Sequence, residues 1–519
     1  MLKTKKLNLI VTSAILALAL VVAIITGIQF QSFRTFQTEF IVRDDVVDAV
    51  IPFHEYSPNL KGTAGDSTFY AIYGTENTVA LVNKAKASTL TTVEDLAAAK
   101  ICYVAGQEDQ LNAAKATLGD TLTYTEVTTS GAARAALVEG LYDVAIMRYA
   151  DAKAACQDKN VVIADVEVEK VPSILVLGGT HPNEPSGQLT ATLFLENAVV
   201  QRGKLFVVTE TNKSAYTHSQ PQEASAWYYE FEVEGTTRTF KYGSRATNTV
   251  DQWPTPDVYA HSSGQRLSST EVRNLNRAYP GSPTGTYSEQ IAWAITNFVL
   301  TNDVTIVIDL HEASPEYAVN NAMVYHQDSG KIAASMEING FNGIFESGKL
   351  GSSSQKIKCE VSAPKLRGLT HRELGDFTNA YVFLFETSNA SQGKLHGAFH
   401  PELIAYENGY QDKFYDWAWR QTQLNKLSAG KAGIKLLEAP AASISERVAR
   451  HTDSISSVID AFNVKCKTRE TYSEFTQYTF LGAQPEAGVE VGKLLISGIP
   501  AYEDIFVQGV NSFLLPSQR

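Results

Sequence analysis

Apolar and polar positions fall into alternating blocks, and from residue 67 onward the blocks predict strands interleaved with helices. STFYAIYG, TVALVNK, KICYVAG, TYTEVT and YDVAIMR have the length and residue types of strands. Between them TVEDLAAA, QEDQLNAAKATLG and GAARAALVEG carry helical spacing, with Thr92 placed to cap the first. These elements predict a small α/β unit over residues 61–167. From Val171 the apolar runs become continuous. VPSILVLGG, GKLFVVTE, VTIVIDL and YVFLFET read as strands buried on both faces, and GQLTATLFLENAVVQ and TYSEQIAWAITNFVL as the helices that cover them. Residues 168–415 are therefore expected to form an α/β/α sandwich, and residues 416–519 a helical and strand-rich region packed on it. Residues 206–280 are longer than a simple connection and rich in Tyr, Ser, Thr and Gly, which suggests a lid or specificity loop.

The amino-terminal end has a different pattern. Lys3, Lys5 and Lys6 precede a run without charge over residues 7–33, long enough to span a bilayer. Residues 1–33 are read as an uncleaved signal anchor, a transmembrane helix with its lysines cytoplasmic and the remainder of the chain outside. The alternative is a secreted chain released by signal-peptide cleavage. Residues 34–60 read as a linker.

Composition narrows the partners. The 519 residues carry 44 Lys and Arg against 56 Asp and Glu, a net charge of -12, which disfavours binding to a phosphate backbone, so nucleic acid is not an expected partner. Cys102, Cys156, Cys359 and Cys466 stand far apart without a CxxC pair, so a cysteine-based metal or redox motif is absent. They could be two disulfides or four buried thiols; in an exported chain Cys102 and Cys156, both in the small unit, are the more plausible bridge.

The chemistry gathers at strand ends. GGTHPNEPSG follows an apolar strand and places His181 and Glu184 three residues apart in a turn that can open a helix. His311, in VTIVIDLHEASPE, follows another such strand. Two imidazoles and a carboxylate brought to one sheet edge make a His2Glu set that leaves zinc an open position for water. Asp309 either accepts a hydrogen bond from a ligand or caps the next helix. His218 and His261 are weaker alternates.

GTHPNE, NLNRAYPG, DLHEASP and FLFET, in this order, resemble the succinylglutamate desuccinylase and aspartoacylase branch of the zinc carboxypeptidase superfamily. Pro182 stands where that family has Gly. The resemblance implies a zinc-carboxypeptidase-like α/β/α sandwich with a mixed sheet, one zinc ion per chain and the ligands His181, Glu184 and His311. It further implies Glu386 as general base, with Glu312 and Glu316 as rivals by proximity to His311. Asn276 and Arg277 would hold the substrate carboxylate. For the arginine that polarises the scissile carbonyl, Arg266 and Arg273 both qualify by spacing; Arg266 is preferred, and Arg273 is grouped with the substrate-binding residues or packs structurally.

Upstream, TVEDLAAAKICYVAG and AALVEGLYDVAIM resemble one lobe of a type 2 periplasmic solute-binding protein. That family binds ligand between two lobes, so a single lobe is read as a spacer or docking module. The expectation is a membrane-anchored, extracytoplasmic zinc amidohydrolase that deacylates an N-acyl amino acid. Its substrate would be a small molecule or peptide with a free carboxylate. The competing readings are a carboxypeptidase acting on peptides or cell-wall peptide, and an amino-acid-binding sensor whose hydrolase unit is inactive.

Overall fold

The computed structural model describes residues 41–42, 69–169, 171–218, 228–253, 255, 258–261, 264–313, 322–338, 358–389, 444–466, 478–480 and 495. The anchor read at residues 1–33 lies outside these, as do nearly all of the 34–60 linker and most of residues 416–519. Among the described residues no helix is long and apolar enough to cross a membrane.

The strands run β1 (Ile41–Val42), β2 (Tyr70–Tyr73), β3 (Thr78–Asn83), β4 (Ile101–Val104), β5 (Tyr124–Val127), β6 (Val144–Arg148) and β7 (Val161–Ile163). They continue with β8 (Ser173–Leu177), β9 (Ala198–Val200), β10 (Lys204–Val208), β11 (Tyr228–Val233), β12 (Thr236–Lys241), β13 (Val258–Ala260) and β14 (Arg266–Ser268). The last are β15 (Ile306–Ala313), β16 (Ala322–Tyr325), β17 (Lys358–Val361), β18 (Tyr381–Ser388) and β19 (Tyr478–Phe480).

Five of these form the small sheet, ordered β5-β4-β6-β3-β7, with an apolar core on each face. Thr92 caps the Val93–Ala97 helix in a reciprocal pair with Asp95, as the sequence pattern predicts. The strand expected at the start of this unit instead leaves it: β2 pairs antiparallel with β10 in the larger sheet. The connection is stitched by backbone, since Gly74 N donates to Gly203 O at 2.8 Å and Tyr149 N to Asn77 O at 2.7 Å. Cys102 and Cys156 pack in one core of the small unit without a disulfide between them, which corrects the expected bridge; burial pushes the Cys102 thiol up to about 12.

The larger sheet is mixed and has eight strands, ordered β1-β2-β10-β8-β15-β18-β16-β17. Its centre, β10-β8-β15-β18, is parallel throughout. Side-chain alternation divides these apolar strands between two layers. Ile174, Val176, Ile306 and Ile308 face Phe194, Leu195 and the Ile444–Cys466 helix, whereas Leu175, Leu177 and Val307 face Ile291, Ile295 and Phe298 of the Tyr287–Thr301 helix. Helices on both sheet faces explain why the central strands read as unbroken apolar runs.

Two glycines let the layers close around the strand ends. Gly179 follows β8 with φ +68, and a Cβ there would fall 2.2 Å from the Tyr216 hydroxyl. Gly187, in the first turns of the Pro185–Asn197 helix, crosses β15 so closely that a Cβ would sit 2.7 Å from the Leu310 carbonyl oxygen. The β11–β12 hairpin, inside the expected lid, packs Tyr229, Phe231 and Phe240 against Leu189, Leu193 and Val448. That part of the insertion is core.

Candidate metal centre

β8 and β15 are parallel neighbours whose register pairs Leu177 with Asp309, the last pair of their ladder. Beyond it β8 turns through Gly178 and Gly179 while β15 runs on to Ala313, so the 180–184 turn lies over the end of β15 that β8 leaves unpaired. Glu184 is the N-cap of the Pro185–Asn197 helix, with Pro185 at its first position, and the helix's positive end supports the carboxylate.

This placement brings His181, Glu184 and His311 together, all buried, with one donor atom from each within 4.8 Å of the others. His181 Nδ1 is 2.9 Å from Glu184 Oε1, and His311 Nδ1 is 2.9 Å from Glu184 Oε2. Both rings thus turn the same nitrogen inward. Their other nitrogens are held from behind: His181 Nε2 lies 2.8 Å from Asn274 Oδ1, and His311 Nε2 lies 2.9 Å from Asp309 Oδ2. With an oxygen acceptor behind each Nε2, a cation bound between Glu184 and the two rings would replace any proton on Nδ1 and leave each ring protonated at Nε2. The donor set therefore fits a zinc ion. Asp309 is itself fixed by Thr180 Oγ1 at 2.7 Å and Thr370 Oγ1 at 2.6 Å, so it stands behind the His311 ring and caps no helix among the described residues.

The electrostatics follow from this packing. Burial lifts the Glu184 carboxyl, but His181 and His311 outweigh it and hold the group well below the usual carboxylate range. Burial and Arg245 pull His181 down, whereas the carboxylates of Asp309 and Glu184 overcome burial at His311 and hold it well above the ordinary imidazole value.

Glu386 stands beside His311 in register on β18. Its carboxyl is pushed up to about 8, chiefly by burial and further by the Glu184 charge, against the pull of His311 and Arg245. Its Oε2 is buried and has no hydrogen-bond partner among the described residues. Glu312, the rival, points to the other side of β15, where its carboxylate takes Arg447 Nε at 2.6 Å and Asn389 Nδ2 at 2.7 Å. Glu316 lies outside the described residues.

The arginines are arranged differently from the sequence expectation. Arg266 is exposed on the β13–β14 hairpin, and Arg273 is buried with its guanidinium donating to the Thr247 carbonyl. The guanidinium against the trio belongs to Arg245, whose NH1 is 3.3 Å from His181 Nδ1 and 3.6 Å from Glu184 Oε1. Arg277 lies close by, tied to Glu271 at 3.4 Å. Asn276 sits behind His311 at 3.5 Å, its side-chain oxygen accepting from Thr370 N at 2.8 Å, so its amide is engaged beside that ring. His261 bonds the Tyr279 carbonyl at 2.5 Å, and burial pulls His218 down to about 4; neither belongs to the trio.

Sequence reasoning passed over Arg245, Glu271 and Asn274. Asn274 had a signal, since it stands two positions before Asn276 in the quoted NLNR stretch. Arg245 had none, because it reaches the site from the middle of a long insertion.

No family model and no curated protein matches the chain. Among solved structures it is similar to the apo cell shape determinant protein Csd4 from Helicobacter pylori, with 13% identity over 61% of this chain and 54% of that one and a TM-score of 0.33. It is also similar to a succinylglutamate desuccinylase from a Silicibacter species, with 15% identity, 42% and 50% coverage and a TM-score of 0.25. A third is an aspartoacylase family protein from Mesorhizobium loti, with 19% identity, 52% and 60% coverage and a TM-score of 0.26. The chain thus spans about half the length of the first solved structures it matches.

Proposed function

We propose that the chain is a zinc-dependent hydrolase of amide bonds, one zinc per chain, that removes the acyl group from an N-acyl amino acid. The observation that carries the reading is the pair of inward Nδ1 atoms sharing the Glu184 carboxylate while Asn274 and Asp309 hold both rings from behind. Zinc bound there supplies a positive charge that acidifies water and draws electron density from a carbonyl. Glu386, on the strand beside His311, would take a proton from the attacking water and return it to the leaving nitrogen, the positive charge bound at the trio drawing its carboxyl down from about 8 into the ionised form. Arg245 takes the role read for Arg266: its guanidinium stabilises the carbonyl oxygen as negative charge develops. Arg277 receives the substrate carboxylate, for which its planar donor fork is suited.

The test is metal content of the purified chain, followed by hydrolysis of N-acetyl amino acids and short peptides with and without chelator. Stoichiometric zinc with chelator-sensitive release of the free amino acid is the expected result. Zinc-dependent release from the peptide carboxyl end alone would move the reading to a carboxypeptidase. A chain without zinc that binds amino acids tightly would replace the enzyme with the sensor.

A further inference from the structure

We propose that Glu271 sets the charge that the carboxylate end of the substrate can carry. The inference rests on the hydrolase reading above and deepens it to a substrate class. Glu271 Oε1 accepts from Arg245 Nε at 3.0 Å, and Oε2 lies 3.4 Å from Arg277 Nε. The same Oε2 accepts from Asn274 Nδ2 at 3.0 Å, and Asn274 Oδ1 is the acceptor behind His181 Nε2 at 2.8 Å. One carboxylate therefore ties two guanidinium groups and the outer edge of a metal ligand into a single array.

The side chains of Arg245, Arg277 and Glu271 are 29%, 22% and 34% exposed, so each keeps an open side. Within the set of Glu271 and the two guanidinium groups one positive charge is left over; Glu184, 3.6 Å from Arg245, belongs to the trio, whose imidazoles and bound ion would offset it. A ligand bearing one carboxylate is matched to the charge left over. A second carboxylate would meet the half-open Glu271 itself, and like charges at that range repel. The substrate class that follows is the N-acyl derivative of an uncharged amino acid, with N-acyl aspartate or glutamate disfavoured.

The experiment compares N-acetyl-L-alanine with N-acetyl-L-aspartate. It measures kcat/KM for both on the zinc-loaded full chain, and the Kd of both on the full chain carrying Glu386→Gln, where turnover does not interfere. The alanine derivative should be preferred in each. Glu271→Gln keeps the size and removes the charge, and it should shift both ratios about tenfold toward the diacid. Unchanged ratios overturn the proposal while leaving the hydrolase reading intact. If Glu271→Gln does not fold, Glu271→Asp keeps the charge at a shorter reach and should lower kcat with the preference retained. A changed preference in that variant overturns the proposal equally. If the unsubstituted chain turns over neither compound, the hydrolase reading fails on its own, and the two Kd values still decide about Glu271.

Discussion

His181 and His311 turn the same ring nitrogen toward Glu184, but a neutral amide oxygen stands behind the first and a carboxylate behind the second. The carboxylate makes His311 the more electron-rich donor, and Arg245 beside His181 adds to the contrast. Glu386 belongs to neither ligand pair. It occupies the position next to His311 on β18, where a carboxyl with an unpartnered oxygen is costly to bury unless it has a task. Glu386→Gln keeps the volume and removes the proton acceptor. We expect it to bind zinc as the unsubstituted chain does and to lose about 10²- to 10⁴-fold in kcat. Metal analysis with single-turnover kinetics measures both quantities, and a variant with full zinc and full turnover would take Glu386 out of the mechanism.

At the scale of elements, the centre depends on how closely the Pro185–Asn197 helix crosses β15, because one carries Glu184 and the other His311. Gly187 sets that distance. Gly187→Ala would drive a Cβ to 2.7 Å from a backbone oxygen that cannot rotate away, so the helix must lift. The expected cost is about 1–3 kcal/mol of stability together with weaker zinc binding. Urea unfolding and chelator competition would show it, and a variant unchanged in both would mean that the crossing relaxes freely. The sequence carried this architecture well where the signal was local: an apolar run ending in Gly-Gly, then His181 and Glu184 before a helix, marks a strand end on its own. It carried less where contacts are distant. Tyr70–Tyr73 has the same local pattern as the strands of the small unit, and only its pairing with β10 assigns it to the other sheet. Arg245 and the buried Arg447–Glu312 pair join segments far apart in the chain, and no periodicity records such contacts. The insertion looked like a lid because Tyr, Ser and Gly are typical of loops. The same tyrosines and phenylalanines, alternating along β11 and β12, make a hairpin face that the core absorbs.

For the whole molecule, three histidines outside the trio tie stability to pH. Burial holds His218 at about 4, and both His371 and His451 at about 3, against an ordinary 6.5. Their folded forms bind fewer protons than the unfolded chain, so stability is present above pH 6.5 and is lost as pH falls from there toward 3–4. Asp453, raised from 3.8 to about 7 by burial and Asp460, works in the opposite sense: its contribution is present in acid and is lost as pH rises through 7. The raw pH profile mixes these terms, and a difference between two chains separates one of them. His371 is the suitable group, since it packs against Ser362 Oγ at 2.8 Å while facing Asp309, His311, Arg372 and Arg277. His371→Gln removes the titrating ring but retains a polar side chain. The variant should be less stable than the unsubstituted chain at pH 7.5, and the gap should narrow by about 2 kcal/mol at pH 5, because only the unsubstituted chain has a neutral imidazole to lose. Urea titrations of the chelator-treated chains at the two pH values measure the gap directly. A gap that stays constant would mean that His371 takes up its proton as readily in the folded chain as in the unfolded one, and the acid sensitivity would then come from other groups, among them His218, His451 and the lowered carboxyl of Asp376.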